Sequence, residues 1–311
     1  MTTEYHRLFR VRPAYRWWKP LLAVAVAVAL YVLLSLVFYA AVYAIVRAVG
    51  GLDAGQRLSS AVADDPLNAA DPLVMLISLG SIAMLLPSVV VASRVVGYPS
   101  LTSVAGRLRW RWLARCLVPG LVFVAVSTVL SSVVVPALTG QPISFGEVTT
   151  SPTTLVWAIV VIVVLVPLQS SAEEFAFRGF AMQTLGAWLR WPVVAIVLPT
   201  VLFAVLHRYN VWGVLDVAVF GISAAYLTWR TGGLEAGIVA HVLNNTVVFV
   251  LLAPFSGVAA SDGSPLGLAV TLISTPLYVW LVLRAARRSG VGRVLPSSSR
   301  GPAVHSDTAT R

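Results

Sequence analysis

"TLVWAIVVIVVLVPLQSSAEEFAFRGF", residues 154–180, begins as a run without formal charge and then sets Glu173, Glu174 and Arg178 almost side by side. The run has the length and apolarity of a membrane-crossing helix, which needs about 20 residues. An ionisable side chain in such a helix costs roughly 2.5–3.5 kcal/mol at the bilayer centre, so it usually faces a cavity and serves a function. The whole chain repeats this economy. Of 311 residues, 58% are hydrophobic and 11% charged, against roughly a quarter charged in an ordinary soluble domain. Composition therefore excludes a soluble globular protein and points to an all-α polytopic membrane protein in a lipid bilayer.

Outward from that stretch, eight apolar segments read as helices: about 21–46, 73–92, 116–138, 154–169, 191–207, 212–229, 234–252 and 266–283. The expected organisation is a basic N-terminal segment (1–20), spans 1–3 with their loops (21–153), a core of spans 4–7 (154–252), span 8 (253–284) and a disordered polar tail (285–311). The first apolar run exceeds the roughly 7–15 residues of a signal-peptide core, so it reads as a retained span. The net charge of +10 is spread over short segments between apolar runs, which marks orientation and not a nucleic-acid partner. With a cytoplasmic N-terminus, 19 of the 22 Lys and Arg fall on the cytoplasmic side, leaving Arg47, Arg57 and Arg208 outside. Both termini are then cytoplasmic. A single cysteine, Cys116, rules out an internal disulfide framework and reads as apolar filler. Trp17, Trp18, Trp110, Trp112, Trp188 and Trp191 read as interfacial anchors.

Few polar residues interrupt the spans: Glu173, Glu174 and Arg178, then His207, Asp216, Glu235, His241, Asn244 and Asn245. Glu174 and Arg178 are spaced i, i+4 and share a helix face, so they pair, leaving Glu173 about 100° around the helix for another task. His241 and Asn245 repeat the spacing in span 7, and Phe203 and His207 in span 5. Three helices thus offer polar faces to one intramembrane cavity. Two carboxylates, two imidazoles and an amide suit hydrolysis of an acyl bond. A desolvated glutamate can take a proton from water. His207, His241 and Glu173 are equally a ligand set for a catalytic divalent metal such as zinc. Asn245 and a histidine are candidate donors to an oxyanion.

"EEFAFR" (173–178), "FAVLH" (203–207) and "HVLNN" (241–245) resemble, in order, the motifs EExxxR, FxxxH and HxxxN of the CAAX-protease and bacteriocin-processing family. This family comprises intramembrane proteases related to the Ras-converting CAAX prenyl endopeptidase and is also called the abortive-infection family. The resemblance covers roughly 154–252 and implies an eight-helix fold. It implies Glu173 as the water-activating base, supported by Glu174 and Arg178, with His207, His241 and Asn245 around the water and oxyanion. It implies a membrane-anchored or lipidated peptide substrate. The family carries a metalloprotease label and a metal-free glutamate mechanism side by side, and the residues do not choose.

Each polar residue also has a structural reading. Glu174–Arg178 alone is an ion pair at a helix end, His207 an interfacial histidine beside Arg208 and Tyr209, and His241 an interhelical hydrogen bond. Three such coincidences in motif order favour catalysis. Asp216 reads as a helix-packing hydrogen bond, and Glu235 as a carboxylate in a helix's first turn. The alternatives are a non-enzymatic immunity or partner-binding protein and, behind it, a proton-coupled transporter, for which inverted repeats are lacking. Abundant Ala, Val, Leu and Arg with a single Lys suggests a GC-rich bacterial genome and the plasma membrane, where a prenylated substrate is unexpected. One conflict stands: with these boundaries Glu173 sits near the inner end of span 4 and His207 at the outer end of span 5. They meet only if a helix is displaced or broken, and Pro167, Pro192 and Pro199 are candidate kinks.

Overall fold

The computed structural model describes residues 3–142, 147–255 and 263–295. It contains a long helix α1 (Lys19–Asp64), a bent pair α2 (Pro72–Ala83) and α3 (Leu85–Val96), and α4 (Trp110–Val129) continued by a π turn into α5 (Val135–Thr139). Then come α6 (Pro152–Glu173), a π-helical stretch Glu174–Ala181 and α7 (Met182–Trp188) without a break. They are followed by α8 (Pro192–Leu206), α9 (Val211–Thr231), α10 (Glu235–Leu252) and α11 (Pro265–Ser289). Among the described residues seven helical segments are long and apolar enough to cross a membrane, and α8 is an eighth, shorter apolar helix. The protein is an all-α polytopic integral membrane protein.

Helix ends follow from local chemistry. The Asp71 carboxylate accepts from Leu73 and Val74 amides at 2.9 and 3.1 Å, Ser151 from Thr154 and Asn210 from Gly213, which satisfies amides that have no intrahelical partner. Prolines occupy the first helical turn after Asp71, Ser151, Trp191 and Ser264, where their missing N–H costs nothing. Pro87, near the start of α3, cannot donate to the preceding turn, and the regular helix is interrupted one turn earlier, at Met84.

Several sequence boundaries need correction. Helix α1 runs on to Asp64, past a kink at Gly51 (φ 77°), so the expected outer loop after residue 46 is largely helical. Span 4 does not end at 169: α6, the π stretch and α7 form one 37-residue rod. The tail begins later than 285, because α11 extends to Ser289 and β2 (Val294–Leu295) pairs antiparallel with β1 (Thr3–Glu4). The rest of the tail, residues 296–311, lies outside the described residues. Trp112 is buried among α4, α10 and α11 side chains and is not an interfacial anchor, whereas Trp110 is exposed.

The basic N-terminal segment folds back as a hook. Tyr5, His6 and Phe9 are fully buried. Phe9 stacks on Tyr98 at 3.8 Å, and the Tyr98 hydroxyl meets Thr184 at 2.8 Å. Phe9 also belongs to the cluster holding Ala176 and Phe180 of the π stretch. The His6 backbone presses on Gly186 so closely that a Cβ there would lie 1.8 Å from the His6 oxygen. Arg7 donates to the Gly186 carbonyl at 2.8 Å, and Glu4 pairs with Arg293 at 2.8 Å. Behind the hook, α10 packs on α4 and α6, α2 on α6, and α9 on α8 and α11.

Candidate active site

Glu173 is the last residue of α6, and Glu174 opens the π stretch that carries Arg178. A π insertion re-aims side chains within a helix and recurs at functional sites. Here both glutamates reach the same histidine. His241 Nδ1 lies 2.9 Å from Glu174 Oε1, and its Nε2 lies 3.3 Å from Glu173 Oε2. Arg178 Nη1 donates to the same Glu174 oxygen at 3.0 Å. The expected i, i+4 pair is therefore present, and its carboxylate also receives the imidazole of α10.

Space for this arrangement comes from absent side chains. A Cβ at Gly237 on α10 would stand 2.5 Å from Glu174 Oε2, and one at Gly221 on α9 would stand 3.0 Å from Arg178 Nη2. Phe203 of α8, itself buried, forms the hub. The Arg178 guanidinium lies 4.2 Å from the centroid of its ring, and the His207 and His241 rings meet it edge-on at 4.5 and 6.0 Å. The phenylalanine of the FxxxH spacing is thus a common wall for both histidines and the arginine.

Rod length resolves the depth conflict. From Glu173 to Trp188 the helix continues for 15 residues, and α8 returns over 15 residues, Pro192–Leu206. At 1.5 Å per residue both legs measure about 22 Å. The return therefore brings His207 level with Glu173, within electrostatic reach of Glu173, His241 and Arg178. No helix has to break, because the site lies inside a long rod and α8 is too short for a full crossing of about 30 Å.

Protonation follows from partners. His207 Nδ1 lies 2.7 Å from the Phe203 carbonyl oxygen. A carbonyl only accepts, so Nδ1 carries the proton and Nε2 of the neutral ring presents a lone pair. Glu174, held by Arg178, accepts from His241 Nδ1–H. His241 Nε2 then faces Glu173 Oε2 across 3.3 Å, with no hydrogen bond between them. Glu173 Oε2, Glu174 Oε2 and Arg178 Nη2 are buried without a hydrogen-bond partner among the described residues, which is unusual enough to indicate groups with a task.

Residues 152–247 match the family model described as type II CAAX prenyl endopeptidase Rce1-like. This segment is Rce1-like. It contains Glu173, Glu174, Arg178, His207, His241 and Asn245. The chain is 28% identical over 160 residues to an uncharacterized protein, YyaK, of Bacillus subtilis (strain 168), a match covering 45% of this chain and 54% of that protein. It thus spans about half the length of the curated relative it matches. No solved structure matches the chain.

Other expected residues fall around this Rce1-like centre. Asn245 lies one turn beyond His241, half-buried, its Oδ1 accepting from Asn244 at 3.2 Å. Asp216 hydrogen-bonds Thr271 of α11, and Glu235 takes a bidentate grip from Arg109 at 2.7 and 2.8 Å, so both are structural. The structure does not gather His207, His241 and Glu173, the expected ligand set, into one group of three donors. His241 Nδ1 is taken by Glu174, and among the described residues no three His, Cys, Asp or Glu side chains form a metal-holding group. Sequence reasoning missed Phe203 as hub and the two glycine notches. The only signal for the notches is isolated glycine within apolar helices, which also marks ordinary packing.

Proposed function

We propose that the protein is an intramembrane endopeptidase that hydrolyses a peptide bond of a membrane-anchored or membrane-proximal substrate with water activated by Glu173. The observation that carries this reading is the His241 imidazole held between Glu173 and the Glu174–Arg178 pair. Glu173 takes a proton as the water oxygen bonds to the carbonyl carbon and the carbonyl electron pair moves onto oxygen. The neutral His207 Nε2 accepts a hydrogen bond from that water, and the Asn245 amide donates to the oxyanion. On collapse the C–N bond breaks and the proton held by Glu173 passes to the leaving nitrogen. Glu174 and Arg178 fix the tautomer and orientation of His241 and touch no substrate.

The Rce1-like match supports a CAAX-type reaction class, and the apolar helices together with a bacterial relative favour a bacterial plasma membrane. The arginine bias supports cytoplasmic termini. Glu173→Gln, which keeps size and removes the base, should lower cleavage of a lipidated peptide in proteoliposomes by about 10²–10⁴-fold with an unchanged melting temperature. Turnover equal to the unmodified protein would remove the proposal and leave the polar cluster structural.

A further inference from the structure

Between α8 and α9 the chain turns within a few residues, and Arg208 takes φ 52°, the one positive φ at a non-glycine position among the described residues. That region is costly for a residue with a Cβ and tends to persist where function fixes the backbone. Both sides of the turn are pinned. His207 is tied to Phe203, and the Asn210 side chain caps Gly213 and donates to the Gly263 carbonyl at 2.9 Å. The strained residue swings Tyr209 back onto the site: its ring meets the His207 ring edge-on, 5.3 Å between centroids. Its hydroxyl lies within electrostatic reach of two carboxylates, Glu173 and Asp216, and has no hydrogen-bond partner among the described residues.

The site needs such a donor. Because His207 gives its Nδ1–H to Phe203, the neutral ring cannot also donate to an oxyanion, and Asn245 supplies one donor where two are usual. We propose that Tyr209 is a further catalytic residue, its hydroxyl donating a hydrogen bond to the carbonyl oxygen as charge develops there beside Glu173. The proposal rests on the peptidase reading and adds to it a residue outside the three motifs.

Tyr209→Phe removes one oxygen and keeps the ring contact with His207. Measured on a lipidated peptide in proteoliposomes, kcat should fall roughly 10²-fold with KM and melting temperature unchanged. A kcat within twofold of the unmodified protein would overturn the proposal. A second readout is independent of turnover: 3-fluorotyrosine at position 209 should change its ¹⁹F resonance when Glu173 becomes Gln, and an unmoved resonance would also overturn it. Should Glu173→Gln cleave at the unmodified rate, the peptidase reading falls and takes the oxyanion role with it, while a shifted resonance would keep only the juxtaposition.

Discussion

Arg178 and Glu174 are both buried to the last atom or nearly so, 1% and 0% exposed. Removing one partner of such a pair leaves an uncompensated charge and costs about 3–5 kcal/mol. Substitutions there report stability as much as catalysis, and Glu173 is the cleaner probe. His241 supports a sharper expectation. Its Nδ1 is committed to Glu174, and among the described residues no three His, Cys, Asp or Glu side chains are gathered around its Nε2 to hold a metal. Exhaustive chelation should therefore leave peptide turnover unchanged, with substoichiometric zinc by elemental analysis of the active protein. Loss of turnover on chelation with recovery on adding zinc would replace this arrangement by a metal-loaded one. At this scale the i, i+4 pairs were legible in the sequence because one helix dictates them. That two glutamates meet one histidine was not, because the contact crosses helices and depends on a π stretch that no residue pattern announces.

The helices themselves are written plainly, in apolar runs bounded by Asp, Ser or Asn caps and first-turn prolines. Their ends were misjudged wherever a polar residue looked like a boundary. Gln169 and Ser170 are buried within the α6 rod, not at its end. The hook was not legible for a related reason: "TEYHRLFR" (residues 3–10) reads as basic, yet it buries Tyr5, His6 and Phe9 and leaves Arg10 exposed. Burial holds the His6 imidazole below its ordinary range, with Arg7 reinforcing the effect, while the Arg190 carbonyl, 3.3 Å away, and the Glu4 carboxylate oppose it. A histidine whose folded pKa is lowered favours the docked state fully above its unfolded value of about 6.5 and loses that contribution as pH falls. Tryptic cleavage after Arg7 and Arg10, expressed relative to an unstructured arginine peptide digested alongside, should thus be greater at pH 5.5 than at pH 7.5, and the difference should vanish in His6→Gln. Equal relative rates at both pH values in the parent protein would show that the hook does not depend on a neutral His6.

Across the whole molecule the apolar surface faces outward: only 11% of the most apolar window of α1 is buried, as expected of a lipid-facing helix. The arginine bias predicts cytoplasmic termini for this body. Because native Cys116 is fully buried, it gives a silent background for labelling. A cysteine replacing Gln56, beyond the Gly51 kink, should react with a membrane-impermeant maleimide in intact cells, and one replacing Gly292 should react only after lysis. The opposite pattern would reverse the orientation. Fold class and approximate span count were legible from hydropathy alone. The closure of the bundle's end was not, because it depends on two-residue strands too short to leave a periodicity.

That closure has a practical consequence. Thr3 pairs with Leu295 and Glu4 with Val294, so positions 3 and 295 sit side by side on one antiparallel ladder. Fluorophores attached at those two positions would start in near contact, and their energy transfer would follow undocking of the hook in single molecules, without any substrate.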